Sequence, residues 1–339
     1  MNRHTVWTLI FGVVLGSLLT TAAFIGIIRR DSASSGGTQK TVLKLAHVLD
    51  VSHPVHAGME FMAKRVAELS SGMVEVQLFP NGQLGSEPET IEQAQRGALA
   101  LVKTSAAAME GFVPEMAVFG LFYLFKDHDQ YWRVLDGPIG KELLDAGDRT
   151  GIHGLCYYDS GSRSFYTIKK PVLTPEDLKG MKIRVMPSRM SMDMISGLGG
   201  APTPIPFGEL YTALQQGMVD GAENNPPTLL ATRHYEVAKH FSIDEHARIP
   251  DLLVISQAIW SKLTPQQKAW VEQAAQESSV FQRKLWAEKT AEAYTELEKA
   301  GVTIYRPDQS LFSEAARPLT DQFKGTPVGD VARRIREVK

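Results

Sequence analysis

Apolar side chains recur along the chain in two rhythms. Over residues 42–48 they fall on alternate positions, which predicts a strand. Met59, Met62, Val66 and Leu69 follow at helical spacing, so residues 55–70 predict an amphipathic helix. Val74, Val76 and Leu78 alternate with Glu75 and Gln77, a second strand, and Pro80-Asn81-Gly82 turns the chain. Residues 88–96 predict a helix stopped by Gly97, and residues 99–103 a third strand. This β-α-β-α-β order implies a mostly parallel sheet with right-handed crossovers.

The pattern returns further on. Thr174-Pro175-Glu176-Asp177 has an N-cap, proline at the first helical position and acids in the first turn. Residues 182–186 predict a strand, 191–198 a helix stopped by Gly199-Gly200, 209–216 a helix ended by Gly217, and 219–223 a strand. Pro227 opens further helix. Two α/β units therefore meet near Gly161. Thr264-Pro265 opens a helix that runs to Ala300 without internal proline or glycine. At about 1.5 Å per residue it is roughly 55 Å long, so it spans both units. No short-period repeat is present, which disfavours a solenoid.

The N-terminus departs from these rhythms. Residues 6–28 carry no charge, a length sufficient to cross a bilayer. Arg3 and His4 precede the run, and Arg29 and Arg30 follow it. The order basic, apolar, small is that of a secretory signal, with Thr21, Ala22 and Ala23 as a cleavage site. Because the run continues through Ile28, it also reads as an uncleaved anchor in the inner membrane. No cysteine lies near residue 30, which excludes lipid acylation there. Residues 31–40 read as a Ser/Gly-rich linker, and the folded part begins near residue 41.

The 339 residues, 43% apolar and 22% charged, suit two ordinary domains. Without residues 1–30 the chain keeps 33 basic and 38 acidic side chains, a net −5. No affinity for nucleic acid or anionic membrane follows. The single cysteine, Cys156, excludes an internal disulfide and a cysteine-rich zinc module, and its apolar surroundings read as structural. An acidic, thiol-poor, exported chain fits the periplasm.

Candidate chemistry is sparse. GxGxxG, GxxxxGK[ST], GxSxG and HExxH are all missing. His47, His53 and His56 read as loop histidines near a pocket mouth, or as a metal site. Arg184 interrupts the strand Met181-Lys182-Ile183-Arg184-Val185, and Arg163 stands where the units join. Each reads either as a clamp for a carboxylate or as half of a structural ion pair. Asn224 and Asn225 follow a strand directly, where α/β proteins place ligands, or else turn the chain before Pro226-Pro227.

Two segments, LTPEDLKGMKIRV and TPIPFGELYTALQQGMVDGAENN, resemble the solute-binding proteins of tripartite ATP-independent periplasmic (TRAP) transporters, the DctP type. FPNGQLGSEPETIEQAQRGALAL and MAVFGLFYLF agree, and the resemblance covers about residues 41–320. It implies a two-lobed, Venus-flytrap α/β fold with mixed sheets that closes on its ligand, the long helix spanning both lobes. Residues 41–160 and 250–289 would form lobe I, and 161–249 and 290–339 lobe II. Arg184 matches the arginine that grips the ligand carboxylate, and Arg163 a second arginine. Asn224 matches the asparagine of the V-D-G-x-E-N segment, Phe207 the aromatic packed on the ligand, and Glu87 an acid of the first lobe.

Ser105 and Ala108 stand where sialic-acid binders carry an acid and an arginine. His53, Glu87, Lys103, Ser105 and His246 resemble members that bind hexuronates such as glucuronate or galacturonate. The resemblance thus implies a non-catalytic receptor for a sugar acid, without cofactor or metal, that delivers it to TRAP membrane permease subunits. A receptor for a C4-dicarboxylate or other organic acid, a sugar-acid enzyme, and a membrane-anchored sensor subunit are the alternatives.

Overall fold

The computed structural model describes residues 40–339; the expected export segment and nearly all of the linker lie outside them. The chain order is β1 (Thr41–Ala46), α1 (Pro54–Leu69), β2 (Val74–Phe79), α2 (Glu87–Gln95), β3 (Leu101–Ser105), α3 (His128–Leu135), α4 (Pro138–Asp145), β4 (Ile152–Tyr158) and β5 (Arg163–Thr167). It continues through β6 (Lys182–Val185), α5 (Arg189–Gly197), β7 (Ala201–Pro204), α6 (Leu210–Gln215), β8 (Gly221–Asn224), α7 (Pro226–Ala231), β9 (His240–Ala247) and β10 (Asp251–Ser256). It ends with α8 (Pro265–Lys299), β11 (Thr303–Tyr305), α9 (Gln309–Asp321) and α10 (Pro327–Glu337). Short helical turns join several of these.

Two sheets result, ordered β2-β1-β3-β10-β4 and β11-β9-β5-β8-β6-β7. Both are mixed. In the first, β1 and β3 are parallel, but β10 pairs antiparallel with β3 and β4. The parallel pairing implied by the β-α-β-α-β order holds for β1 and β3, and the sheet is mixed, as the resemblance implies, because β10 returns from the second sheet and enters from the opposite end. In the second sheet β6 is parallel to β7 and β8, whereas β5 is antiparallel to β8 and β9.

Strands β3, β5 and β10 are buried along their whole length. Buried strands favour near-continuous apolar runs. Their charged members, Lys103, Arg163 and Asp251, therefore stand out as exceptions that need a local partner or a ligand.

The chain passes between the sheets at residues 159–162 and 248–250, and again along α8. Helix α8 opens with a capping box at Thr264 and Gln267 and has proline in its first turn. Its first half packs Val271, Ala274 and Ala275 with Met59 and Met62 of α1. Its far end packs Leu297 with Phe241 of β9. Between them, Gln282 accepts from Asp159 N and donates to Asp159 O, both at 2.8 Å. One buried side chain thus fixes the first passage between the sheets.

The last helix departs from the expected boundaries. Residues 290–339 are expected with the second unit; α9 sets Phe312 6.4 Å from Phe165 of β5. Helix α10 instead returns to the first unit. Arg334 pairs with Glu142 of α4, and Gln130 Nε2 of α3 donates to the Val338 carbonyl at 2.8 Å. The apolar stripe Val331, Ala332, Ile335 drives this, since that face buries against the side that presents Met116 and Phe119.

Helices α1 and α8 touch at Gly58, where an added Cβ would stand 2.9 Å from both Cβ and Cγ of Gln282. Gly58→Ala is expected to lower the unfolding free energy by about 1–3 kcal/mol. Urea denaturation checks this; an unchanged midpoint means the contact yields freely.

Candidate functional site

A narrow cavity lies between the two sheets. Its interior is tight, about 50 Å³, and it opens to solvent at its mouth. Glu87, Lys103, Ser105, His53 and Asp251 line one wall; Arg163, Arg184, Phe207, Asn224, Asn225 and Thr228 line the other. Ser160 and Ile249, from the two passages between the sheets, form part of the lining.

Arg184 sits in β6 and is 1% exposed. Its Nε donates to the Ile205 carbonyl at 2.9 Å, but its buried Nη1 has no partner among the described residues. Phe207 lies against it, with the guanidinium carbon 6.0 Å from the ring centroid. Burial pulls the guanidinium below its ordinary range, yet arginine remains charged. A buried, unpaired cation is costly unless an anion joins it. The site is therefore built to receive one.

Arg163 resolves the other way. Its Nη2 donates to Glu223 Oε1 at 2.9 Å and to the Glu223 carbonyl at 2.8 Å, and its Nε meets Glu223 Oε2. Its Nη1 donates to Asn224 Oδ1 at 3.1 Å. Arginine has five N–H donors, so one remains for a ligand. Of the two readings open for these arginines, Arg163 takes the ion pair and Arg184 stays unpaired. Burial would raise the Glu223 carboxyl, but Arg163 and then His246 hold it down at about 2.

On the opposite wall Lys103 Nζ lies 2.9 Å from Asp251 and 3.7 Å from Glu87. Ser105 holds Glu87 by its N–H at 3.0 Å and its hydroxyl at 3.3 Å. Burial raises the Asp251 carboxyl to about 6 against the pull of Lys103, with Glu87 adding to the rise. His53 caps α1. Its Nδ1 accepts from Val55 N at 3.3 Å, so Nε2 carries the proton and donates to Thr228 Oγ1 at 3.1 Å. That bond links the two walls directly. Among the described residues no histidine, cysteine or acid cluster has the arrangement of a metal site; His47 and His56 bond to each other at 3.0 Å.

Eight of the nine expected residues line this cavity; His246 does not. It stands behind Glu223, 3.6 Å away, with Nδ1 2.8 Å from Asp244. The register of β5 against β9 shifts between Arg163 and Phe165, and Glu245 takes a φ of 49°. This bulge places the Asp244–His246 pair inside the sheet rather than in the cavity. Burial alone would lower the imidazole, but Asp244 and Glu223 raise it to about 9. His246 thus stays cationic and backs the Glu223–Arg163 pair. Sequence reasoning missed Asp251 and Thr228, and named Asn225 only as one of two readings, a ligand position or a turn before Pro226. An acid opening an otherwise apolar strand was the available signal for Asp251.

Two outcomes follow. Arg184→Met is expected to weaken binding of a small carboxylate at least about 100-fold, while the stability of the empty protein stays within about 1 kcal/mol. Calorimetry and denaturation together check this. His246 holds a proton more tightly folded than unfolded, about 9 against 6.5, so its stabilisation is complete below pH 6.5 and is lost as pH rises through 9. Melting temperatures from pH 6.5 to 9.5 are expected to fall more steeply for the wild type than for His246→Gln; parallel curves refute the assignment.

The chain as a whole is similar to known solute-binding proteins. The model of the bacterial extracellular solute-binding protein family 7, DctP, matches residues 45–326. A TRAP periplasmic solute-binding protein of Xanthobacter autotrophicus Py2, solved with β-D-galacturonate, is 38% identical, with a TM-score of 0.84 over 88% of this chain and 100% of that one. A second, of Pseudomonas putida F1 with D-glucuronate, is 38% identical, with a TM-score of 0.84 over 88% of this chain and 97% of that one. The C4-dicarboxylate-binding periplasmic protein DctP of Rhodobacter capsulatus is 29% identical over 83% of this chain and 86% of its own. The chain belongs to the DctP family of bacterial extracellular solute-binding proteins.

Proposed function

We propose that the protein is a periplasmic receptor that captures a hexuronate, glucuronate or galacturonate, and delivers it to the permease subunits of a TRAP transporter. The observation that carries this reading is Nη1 of buried Arg184, a residue of the cavity lining, which has no hydrogen-bond partner among the described residues. The ligand carboxylate takes that place in a two-point clasp. Arg163 contributes its remaining N–H, Asn224 offers its amide N–H groups, and Phe207 offers an apolar wall to the sugar ring, while the Asn225 amide is taken up by Ser160, Asn224 and Thr228. The likeness to solved receptors that hold galacturonate or glucuronate supports the same ligand class here.

Binding stabilises the state in which both walls contact the ligand. The His53–Thr228 bond belongs to that state, since it exists only when α1 and α7 approach. The permease would read it as the loaded form. Export follows from the family, and residues 6–28 are the segment that would direct it.

A thermal-shift series with glucuronate, galacturonate, aldonates, dicarboxylates and sialic acid tests the reading. A hexuronate at 100-fold its Kd is expected to add about 2.7 kcal/mol of stability. If no hexuronate shifts the transition, the hexuronate assignment fails; if no organic acid does, the receptor assignment fails with it.

A further inference from the structure

Charge is divided between the walls of the cavity. The second-sheet wall carries Arg184 and Arg163 with Glu223 behind, two cations to one anion. The first-sheet wall carries Lys103 with Glu87 and Asp251, one cation to two anions. The cavity is thus cationic on one side and anionic on the other.

The anionic side is built, not incidental. Lys103 is 3% exposed and Asp251 6%, and Ser105 holds both oxygens of Glu87. Lys103 bridges the two acids and still leaves one negative charge over. An ionised carboxylate can only accept hydrogen bonds. Its free lone pairs are satisfied only by ligand atoms that bear hydrogen. A sugar hydroxyl does. A second carboxylate does not, and in a desolvated site it adds like-charge repulsion.

We infer that the Glu87–Lys103–Asp251 wall is a specificity element: it admits polyhydroxy acids bearing one carboxylate, with the hydroxyls turned toward this wall, and rejects dicarboxylic acids of the same length. The inference rests on the receptor reading above and fixes the orientation of its ligand. Arg184 takes the carboxylate, and the hydroxyls at the far end donate to Glu87 and Asp251. It also separates this chain from a dicarboxylate receptor by a residue-level cause, since such a ligand needs a cation at each end.

The test is calorimetry at pH 8, where Asp251, raised to about 6, is ionised. D-Glucuronate, D-gluconate and D-glucarate are titrated into the wild type, Glu87→Gln and Asp251→Asn, with melting temperatures confirming the fold. Gluconate and glucarate are both open chains and differ by one terminal hydroxyl against one carboxylate. Their ratio therefore reads the second charge apart from ring closure. In the wild type, gluconate is expected to bind at least tenfold tighter than glucarate. In each variant that ratio is expected to shrink at least fivefold, and glucuronate is expected to weaken. Equal binding of gluconate and glucarate by the wild type, measurable or not, overturns the inference. So does a ratio unchanged in both variants. Loss of glucuronate binding in the wild type sinks the hexuronate reading instead, and the gluconate-to-glucarate ratio is read independently of it.

Discussion

The site turns on an arginine kept out of water with no direct ion pair among the described residues. Arg184 is nearly inaccessible and its Nη1 is unpartnered. Such a group is tolerated only where the rest of the fold holds it in place. Here the Ile205 carbonyl anchors Nε, Phe207 covers one face, and the neighbouring cation Arg163 is neutralised by Glu223. Each of those arrangements leaves Arg184 Nη1 without a partner among the described residues. The pairing of Arg163 with Glu223, and of His246 with Asp244, removes competing charges rather than adding binding groups.

The two arginines show why residue type does not specify role. Both stand in buried strands of one sheet, and both line the cavity. What separates them is the neighbouring strand. The Arg163 side chain of β5 reaches the Glu223 carboxylate of β8, whose register partner is Phe165, while Arg184 in β6 has Ala222 opposite it there. What stands on β8 thus separates the arginine held in an ion pair from the one that has none among the described residues.

Much of the fold was legible because its elements obey local rules. The helical spacing of Met59, Met62 and Val66, the capping at Thr264-Pro265 and the strand alternation at Val74 and Val76 all correspond to observed elements. Site residues were legible where a charged side chain broke an apolar run, as at Arg184, whereas Lys103 was reached only through the family resemblance. Three things were not. The place of β10 between β3 and β4 depends on pairing between distant segments, so Asp251 was missed although it breaks a run in the same way. His246 lies close in sequence to the site, but the bulge at Glu245 turns it to the second row, and no local pattern marks a bulge of that kind. The return of α10 to the first unit depends on which apolar face is left uncovered once the rest has folded.

The bonds of Gln282 to Asp159 have a mechanical meaning. The side chain grips both the N–H and the carbonyl of one residue, much as a neighbouring strand would, and it does so from the middle of a 35-residue helix. The passage between the sheets is thereby attached to a stiff beam. Gly161, two residues on, has a φ of 62°, donates its N–H to Asp159 Oδ1 at 2.8 Å and lies against Trp286 of the same helix, so the passage is braced at two successive points along that beam.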